Sequence, residues 1–469
     1  MSSNYKEISG YNEEQLGKDR ASRMSQVAMY SEMAHFVYEL LQNADDAEAT
    51  EIRFSVSQTS LVVEHNGKSF TEDNVKAISY FGKGKTDITK IGHFGLGFKS
   101  VFAYTASPRV HSGDESFEIT ELYSLDGIHY PSDLELGKTR FIFPFDHEIK
   151  KPNYIEKGKL KTSGIAYSEI ADKLSKLSAE TLLFTKSLTE IRWETEQHKG
   201  HYLREIKPVQ TQDKNIVKEM YIVPSDGADY CYLIVERPIE WPGDDGIKKE
   251  HRPVQIAFRL DKRLKDGGAI RKVENARLFV FFPTVIETHV GFILQGPYRT
   301  TPQRETVPAG DEFNQHVVEQ SASLLSDSLG YIRDLGLLNV ASYAALPLRA
   351  LDFPEGSLFR PVYDRVREAL KTQPLLPAQG GGFIKADEAK LARGKELVEL
   401  FSPEQLGSLF GKAQLEWLDD SITENGTTAD FHRYLKDVVE EIQPSELKDK
   451  LTTSFFEIQS EEWLRDFYE

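Results

Sequence analysis

Met33, Phe36, Val37, Leu40, Leu41 and Ala44 recur at i, i+3, i+4, i+7, i+8 and i+11, and this period predicts an amphipathic helix. Residues 51–56 and 61–64 alternate apolar and polar positions and predict two short strands. A polar stretch then ends in Gly92-His93-Phe94-Gly95-Leu96-Gly97, and Phe98-Lys99-Ser100-Val101-Phe102-Ala103 reads as the start of a helix. Residues 141–145 form an apolar strand. From about residue 190, strand-like runs dominate at 216–223, 230–236, 254–260 and 278–282, with a helix at about 314–329. From about residue 345 the pattern is mainly helical, with amphipathic stretches at 363–370 and 431–442 and a turn at Gln379-Gly380-Gly381-Gly382.

The first helix carries the first candidate chemistry. Glu39 and Asn43 lie one turn apart, Asp46 follows a turn later, and the first two adjoin the apolar stripe. Polar groups beside a buried stripe need partners or a ligand. The bland alternative is a helix with solvated acids near its end. Gly92, Gly95 and Gly97 let backbone approach an anion closely and expose successive N–H groups, although many such turns only bend a chain. Gly84-Lys85-Thr86 imitates the end of a phosphate-binding P-loop, but the first glycine of that pattern would fall on Ser79, which rejects it.

Length and charge narrow the classes. A chain of 469 residues suggests two or three domains. A net charge of −17 argues against a broad nucleic-acid-coating surface and leaves a local basic groove open. The single Cys231 excludes an intramolecular disulfide and, in an alternating strand, reads as a buried structural thiol; the expected compartment is cytoplasmic. The longest apolar run, 278–286, is too short to span a bilayer, and the polar start is no signal peptide, so no membrane partner is expected. Asn425-Gly426-Thr427 fits a glycosylation sequon and reads here as a turn, and no zinc-type Cys/His cluster is present. The last residues, Trp463-Leu464-Arg465-Asp466-Phe467-Tyr468-Glu469, read as the middle of an amphipathic helix, the expectation for a piece of a longer protein.

Three ordered motifs, Leu40-Leu41-Gln42-Asn43-Ala44-Asp45-Asp46-Ala47, His65-Asn66-Gly67-Lys68-Ser69-Phe70 and Gly92 through Phe102, make residues 30–145 resemble the GHKL superfamily. Its members include gyrase, ninety-kilodalton heat-shock chaperones, histidine kinases and MutL, which share the Bergerat ATP-binding fold. The wording is most similar to sacsin-type ATPase modules, and more distantly to MORC ATPases through Gly97-Phe98-Lys99-Ser100.

The resemblance implies roles residue by residue. Glu39 would be the general base, Asn43 the Mg²⁺ ligand, and Asp46, with Ala47, a brace of the pocket. Gly67 would line the adenine side, and Thr139 would reach the adenine through a water. Gly92, Gly95, Leu96, Gly97, Phe98, Lys99 and Ser100 would wrap the phosphates, under a lid at 80–87 that includes Gly82 and Lys85. His65 stands where the family places an Asp that accepts from the adenine amino group, and neutral imidazole keeps one acceptor nitrogen. In the 292–307 segment, Arg304 would reach the γ-phosphate with Arg299 in reserve, unless the loop is simply a Thr/Pro-rich surface.

The expected fold is therefore α+β. Its parts are an N-terminal Bergerat α/β sandwich with a helical extension (1–190), a strand-rich transducer-like α/β domain (191–345) and a mainly helical region (346–469). The expected activity is Mg²⁺-dependent ATP hydrolysis driving a conformational switch. The switch would be chaperone-like or defence-associated and would act on a protein client or a fused effector. Relatives dimerise in the ATP state through residues equivalent to 1–30, where a helix within 12–30 either swaps or simply packs. The alternative is a DNA-associated clamp of the MutL or MORC kind. A protein kinase ranks last, for want of a helical hairpin bearing a phosphoacceptor His, and a nucleotide-free structural descendant stays open.

Overall fold

The computed structural model describes residues 2–16, 36–80, 97–155, 157–212, 215–242, 248–301, 306–412 and 414–468. The predicted first helix forms as Phe36–Asp46 and buries Phe36, Val37, Leu40, Leu41 and Ala44, as its period requires. The chain then turns into a hairpin of β1 (Glu51–Val56) and β2 (Ser60–His65), both with alternating burial. The helix Glu72–Ser79 follows, its start closed by a bond from Thr71 N–H to Asn74 Oδ1.

Four strands complete this part: β3 (Arg109–Ser112), β4 (Glu115–Thr120), β5 (Ser124–Gly127) and β6 (Thr139–Pro144). β6 is the predicted apolar strand, and it inserts between β2 and β3. Packing on one face comes from the helix Ser163–Ser175, which buries Ala166, Ile170 and Leu174. The N-terminal helix Tyr5–Leu16 lies along β5. Its residues tie it to its own chain: Tyr5 Oη donates to Glu115 (2.7 Å), and Asn12 Nδ2 donates to Ser79 Oγ (3.1 Å) and Tyr123 O (3.2 Å).

β7 (Glu190–Glu194) runs parallel to β1 and antiparallel to β8 (Lys199–Gln212). The remaining strands are β9 (Asn215–Pro224), β10 (Tyr230–Pro242), β11 (Lys248–Leu260), β12 (Ile270–Arg271), β13 (Arg277–Val280), β14 (Phe282–Glu287) and β15 (Ile293–Gln295). All fifteen belong to one mixed sheet, ordered β14-β13-β15-β11-β10-β9-β8-β7-β1-β2-β6-β3-β4-β5, with β12 paired to β11. The predicted 278–282 strand is broken at Phe281, which takes a left-handed φ of 66° between β13 and β14. The helix Glu312–Asp334 covers β10 and β11 with Val317, Val318, Leu324 and Leu325. Cys231 is buried in β10.

Beyond residue 345, helices Arg360–Thr372, Pro403–Phe410 and Glu461–Tyr468 accompany two small sheets that the helical reading lacks, one of them the antiparallel pair β16 (Leu376–Pro377) and β17 (Phe383–Ile384). In the other, β18 (Ala389–Ala392) is flanked in parallel by β19 (Glu416–Trp417) and β20 (Glu440–Ile442). The single helix expected over 431–442 is therefore two elements. The helix Ala429–Lys436 stops, and Ile442 is carried into the sheet by β20. A separate apolar cluster of Leu397, Phe401, Leu406, Trp417, Ile442 and Phe455 fills this end. No helix among the described residues is long and apolar enough to cross a membrane.

Candidate functional site

The helix Phe36–Asp46 lays Glu39 on the flank of its buried stripe and leaves Asn43 and Asp46 exposed further along. Gly97 comes up against it. A Cβ on Gly97 would overlap Oε2 of Glu39, so only glycine lets this backbone lie on the carboxylate. The first and third sequence motifs thus meet in space.

The second motif seats on the C-terminal end of the same helix. Lys68 N–H donates to Ala47 O (2.7 Å), and a Cβ on Gly67 would stand 2.7 Å from that oxygen and 3.0 Å from Ala47 Cβ. Asn66 Oδ1 accepts from the N–H groups of Thr50 (2.9 Å) and Glu51 (3.1 Å), which fixes the entry to β1.

His65, next along β2, is buried with its ring 6.0 Å from that of Phe141. Its Nδ1 accepts the Gly67 N–H (3.1 Å), and burial pulls its pKa down to about 4. An accepting Nδ1 places the proton of the neutral ring on Nε2. Toward any third group His65 therefore offers a donor, where a carboxylate would offer an acceptor. Thr139 is its cross-strand partner and is also paired with Ser112 on β3. The Thr139 and Ser112 hydroxyls bond each other, and Ser112 Oγ accepts from Phe70 N–H (3.0 Å).

After Gly97 the side chains turn inward as a 3₁₀ turn, Phe98–Ala103. Phe98 packs on Phe141 and Phe143. Lys99 is fully buried, and its Nζ donates to Ser79 O (3.1 Å) and Leu122 O (2.5 Å); burial lowers its pKa to about 7. Ser100 Oγ donates to Gly97 O (2.6 Å). The named bonds of Lys99 and Ser100 run to backbone of the fold. Gly82, Lys85, Gly92, Gly95, Leu96 and Arg304 lie outside the described residues.

Arg299, the reserve arginine, is held at the start of the Glu312–Asp334 helix. Its N–H donates to Asn314 Oδ1 (2.7 Å), its guanidinium pairs with Asp311 (3.3 Å) and stacks 4.8 Å over the Phe313 ring. A nearer link between the two halves is Tyr38, adjacent to Glu39, whose ring lies 5.3 Å from that of Phe282 in β14.

Asp45 is a residue that the motif reading passed over. It is buried and accepts from the N–H groups of Lys186 (2.9 Å), Ser187 (2.7 Å) and Leu188 (2.9 Å), tying the helix to the turn before β7. The sequence held the signal: Asp45 stands four residues after Leu41 and eight after Val37, on the buried stripe rather than beside it.

Residues 19–121 match the family model of the Sacsin domain, a span that contains Glu39, Asn43, His65, Gly67 and Gly97 and ends before Thr139. Over 359 residues the chain is 25% identical to Protein NO VEIN of Arabidopsis thaliana, covering 70% of this chain and 12% of that protein. Over 262 residues it is 35% identical to sacsin of Homo sapiens, covering 52% of this chain and 5% of that protein. The chain thus spans a small part of the length of these curated relatives. Among solved structures, the N-terminal domain of a DNA repair protein aligns with a TM-score of 0.36 at 12% identity, over 67% of this chain and 99% of that one.

Proposed function

We propose that this chain is a Bergerat-type ATPase module in which Mg²⁺-dependent ATP hydrolysis drives a conformational switch. The observation that carries the reading is the contact between Glu39 and the glycine backbone at Gly97. It joins a carboxylate able to take a proton from water to a backbone able to approach a phosphate.

The donor set fits the cofactor. Asn43 offers an exposed amide oxygen one helical turn from Glu39, suited to a hard cation that keeps much of its water. When bound, Mg²⁺ neutralises charge on the phosphates. Glu39 orients and deprotonates the attacking water, and Gly97 holds its backbone close enough to admit the phosphate chain. Gly67 and Ala47 form the tight floor, and His65 and Thr139 are the cross-strand pair next to it. Arg304 supplies positive charge to the γ-phosphate, and the Tyr38–Phe282 contact connects the catalytic helix to the strand-rich half.

The Sacsin-domain match and the net charge of −17 favour a protein client or a covalently attached effector over a DNA track, with a homodimer as the ATP-bound form and the cytoplasm as its compartment. Phosphate release and ATP binding, measured on the same preparation with and without Mg²⁺, test the reading. Metal-dependent turnover that vanishes in Glu39→Ala while ATP still binds supports it. Absence of nucleotide binding by the wild-type chain overturns it.

A further inference from the structure

The C-terminal part holds a cluster outside the Sacsin-domain match and outside everything argued so far. Glu424 lies on the turn after β19, His432 on the helix Ala429–Lys436, and Glu441 on β20. One ligand atom from each falls within 4.8 Å of the other two. We propose that these three residues bind a divalent transition-metal ion, with Zn²⁺ as the fitting occupant.

Acidic side chains near one another are common, so the imidazole carries the argument. His432 is 6% exposed, and one of its ring nitrogens lies within 4.8 Å of a carboxylate oxygen of Glu424 and of Glu441. Imidazole is the commonest protein ligand for such an ion. Here it faces two carboxylates.

The place of a cation is already marked. Lys436 Nζ lies 2.6 Å from Glu424 Oε1 and 3.2 Å from Glu441 Oε1. Two carboxylates so close need a positive charge between them. The ammonium supplies one charge and makes no use of the imidazole. A divalent ion supplies two and adds His432 as third ligand. Lys436, four residues after His432 and partly exposed, can then turn to solvent still protonated.

The scaffold holds its ligands firmly. Phe431 stacks on Tyr343 with ring centres 3.9 Å apart, and Tyr434 Oη donates to Arg367 O (3.0 Å), so the helix cannot turn. Glu441 is fixed by the pairing of β20 with β18. One nitrogen and two carboxylate oxygens suit Zn²⁺ better than Mg²⁺ or Ca²⁺, and three protein ligands leave the rest of the shell to water.

The test is Zn²⁺ titration of the chelator-treated full chain by calorimetry, without nucleotide. One equivalent should bind with Kd on the order of 1 μM or tighter. Glu424→Gln, an exposed change that spares the fold, should weaken this about tenfold or more, and His432→Gln should do the same. Lys436→Met, which removes the competing cation, should tighten it. Equal Zn²⁺ affinity in wild type and Glu424→Gln, or weaker binding in Lys436→Met, overturns the site and leaves the cluster an ion pair alone. If His432→Gln fails to fold, Glu424→Gln and Lys436→Met still decide.

Discussion

Gly97 and the carboxylate of Glu39 touch: the space where any other residue would carry its Cβ is filled by Oε2 of Glu39. The two residues are 58 positions apart and belong to motifs that the sequence offers only as separate patterns.

Gly97→Ala should therefore act as an indirect mutation of Glu39. The obstructing atom is the end of a flexible side chain, so the fold survives and the carboxylate moves. Turnover should fall about 100-fold or more, the scale of a displaced general base, with ATP affinity changed far less. Glu39→Ala should match that loss, and the double mutant should be no worse than either single. Additive losses in this cycle would show that the contact has no bearing on chemistry. Asn43→Ala should instead weaken binding only when Mg²⁺ is present.

His65 should make stability, rather than nucleotide affinity, depend on pH. Its pKa is near 6.5 in the unfolded chain and about 4 in the folded one, so between these values the unfolded state binds more protons. Stability from this group is complete above about pH 6.5 and is lost as pH falls toward 4, by roughly 3 kcal/mol in total. ATP affinity should be flat from about pH 7.5 to 5.5, because the ring stays neutral there. Urea unfolding across this range, compared with His65→Asn, checks it. The variant keeps an acceptor for Gly67 N–H and should lose part of the acid slope. An unchanged slope assigns the effect to the other histidines with lowered pKa, His111, His147 and His432.

Arg304→Ala should slow turnover more than it weakens ATP binding, as expected of a charge used in the transition state. Arg299→Ala should have a smaller catalytic effect, since Arg299 is already engaged with Asp311, Asn314 and Phe313. Single-turnover hydrolysis in the full chain separates the two. A larger defect in Arg299→Ala would reverse the assignment.

Lys99→Met should lower the melting temperature in the absence of nucleotide. Methionine fills the volume but leaves Ser79 O and Leu122 O without their donor, at about 1–3 kcal/mol for each unsatisfied group, partly offset by removing a buried charge. Unaltered melting with lost ATP binding would instead give Lys99 a direct phosphate role.

The sequence shows what repeats locally. The 33–44 stripe and the alternation of β1 and β2 are visible because each buries one face at a fixed period, whereas β9, β10 and β11 are visible as apolar, β-branched runs, with Cys231–Val235 buried on both faces. β8 went unread, since Lys199–Gln212 carries Lys, Arg, Glu and Gln throughout, and its strand character comes from pairing with β7 and β9. The 431–442 stretch misleads because Phe431, Tyr434 and Leu435 have helical spacing and Val439 and Ile442 extend it by chance. Within the candidate site, residue types and spacing point to Glu39, Asn43 and the glycines. They do not reveal that His65 Nδ1 accepts from Gly67 or that Lys99 donates to two backbone carbonyls, because both depend on partners brought in by tertiary packing.

The ladder from Glu190↔Leu203 to Glu194↔Lys199 sews the two halves of the large sheet together. Parts joined by a continuous run of backbone bonds have no hinge between them, so relative motion must be torsion of a shared plate. A twist applied near Phe282 is delivered at β1 and at Tyr38 rather than dissipated in a linker. The same seam predicts the thermal behaviour of residues 36–334: one calorimetric transition, with neither half melting first.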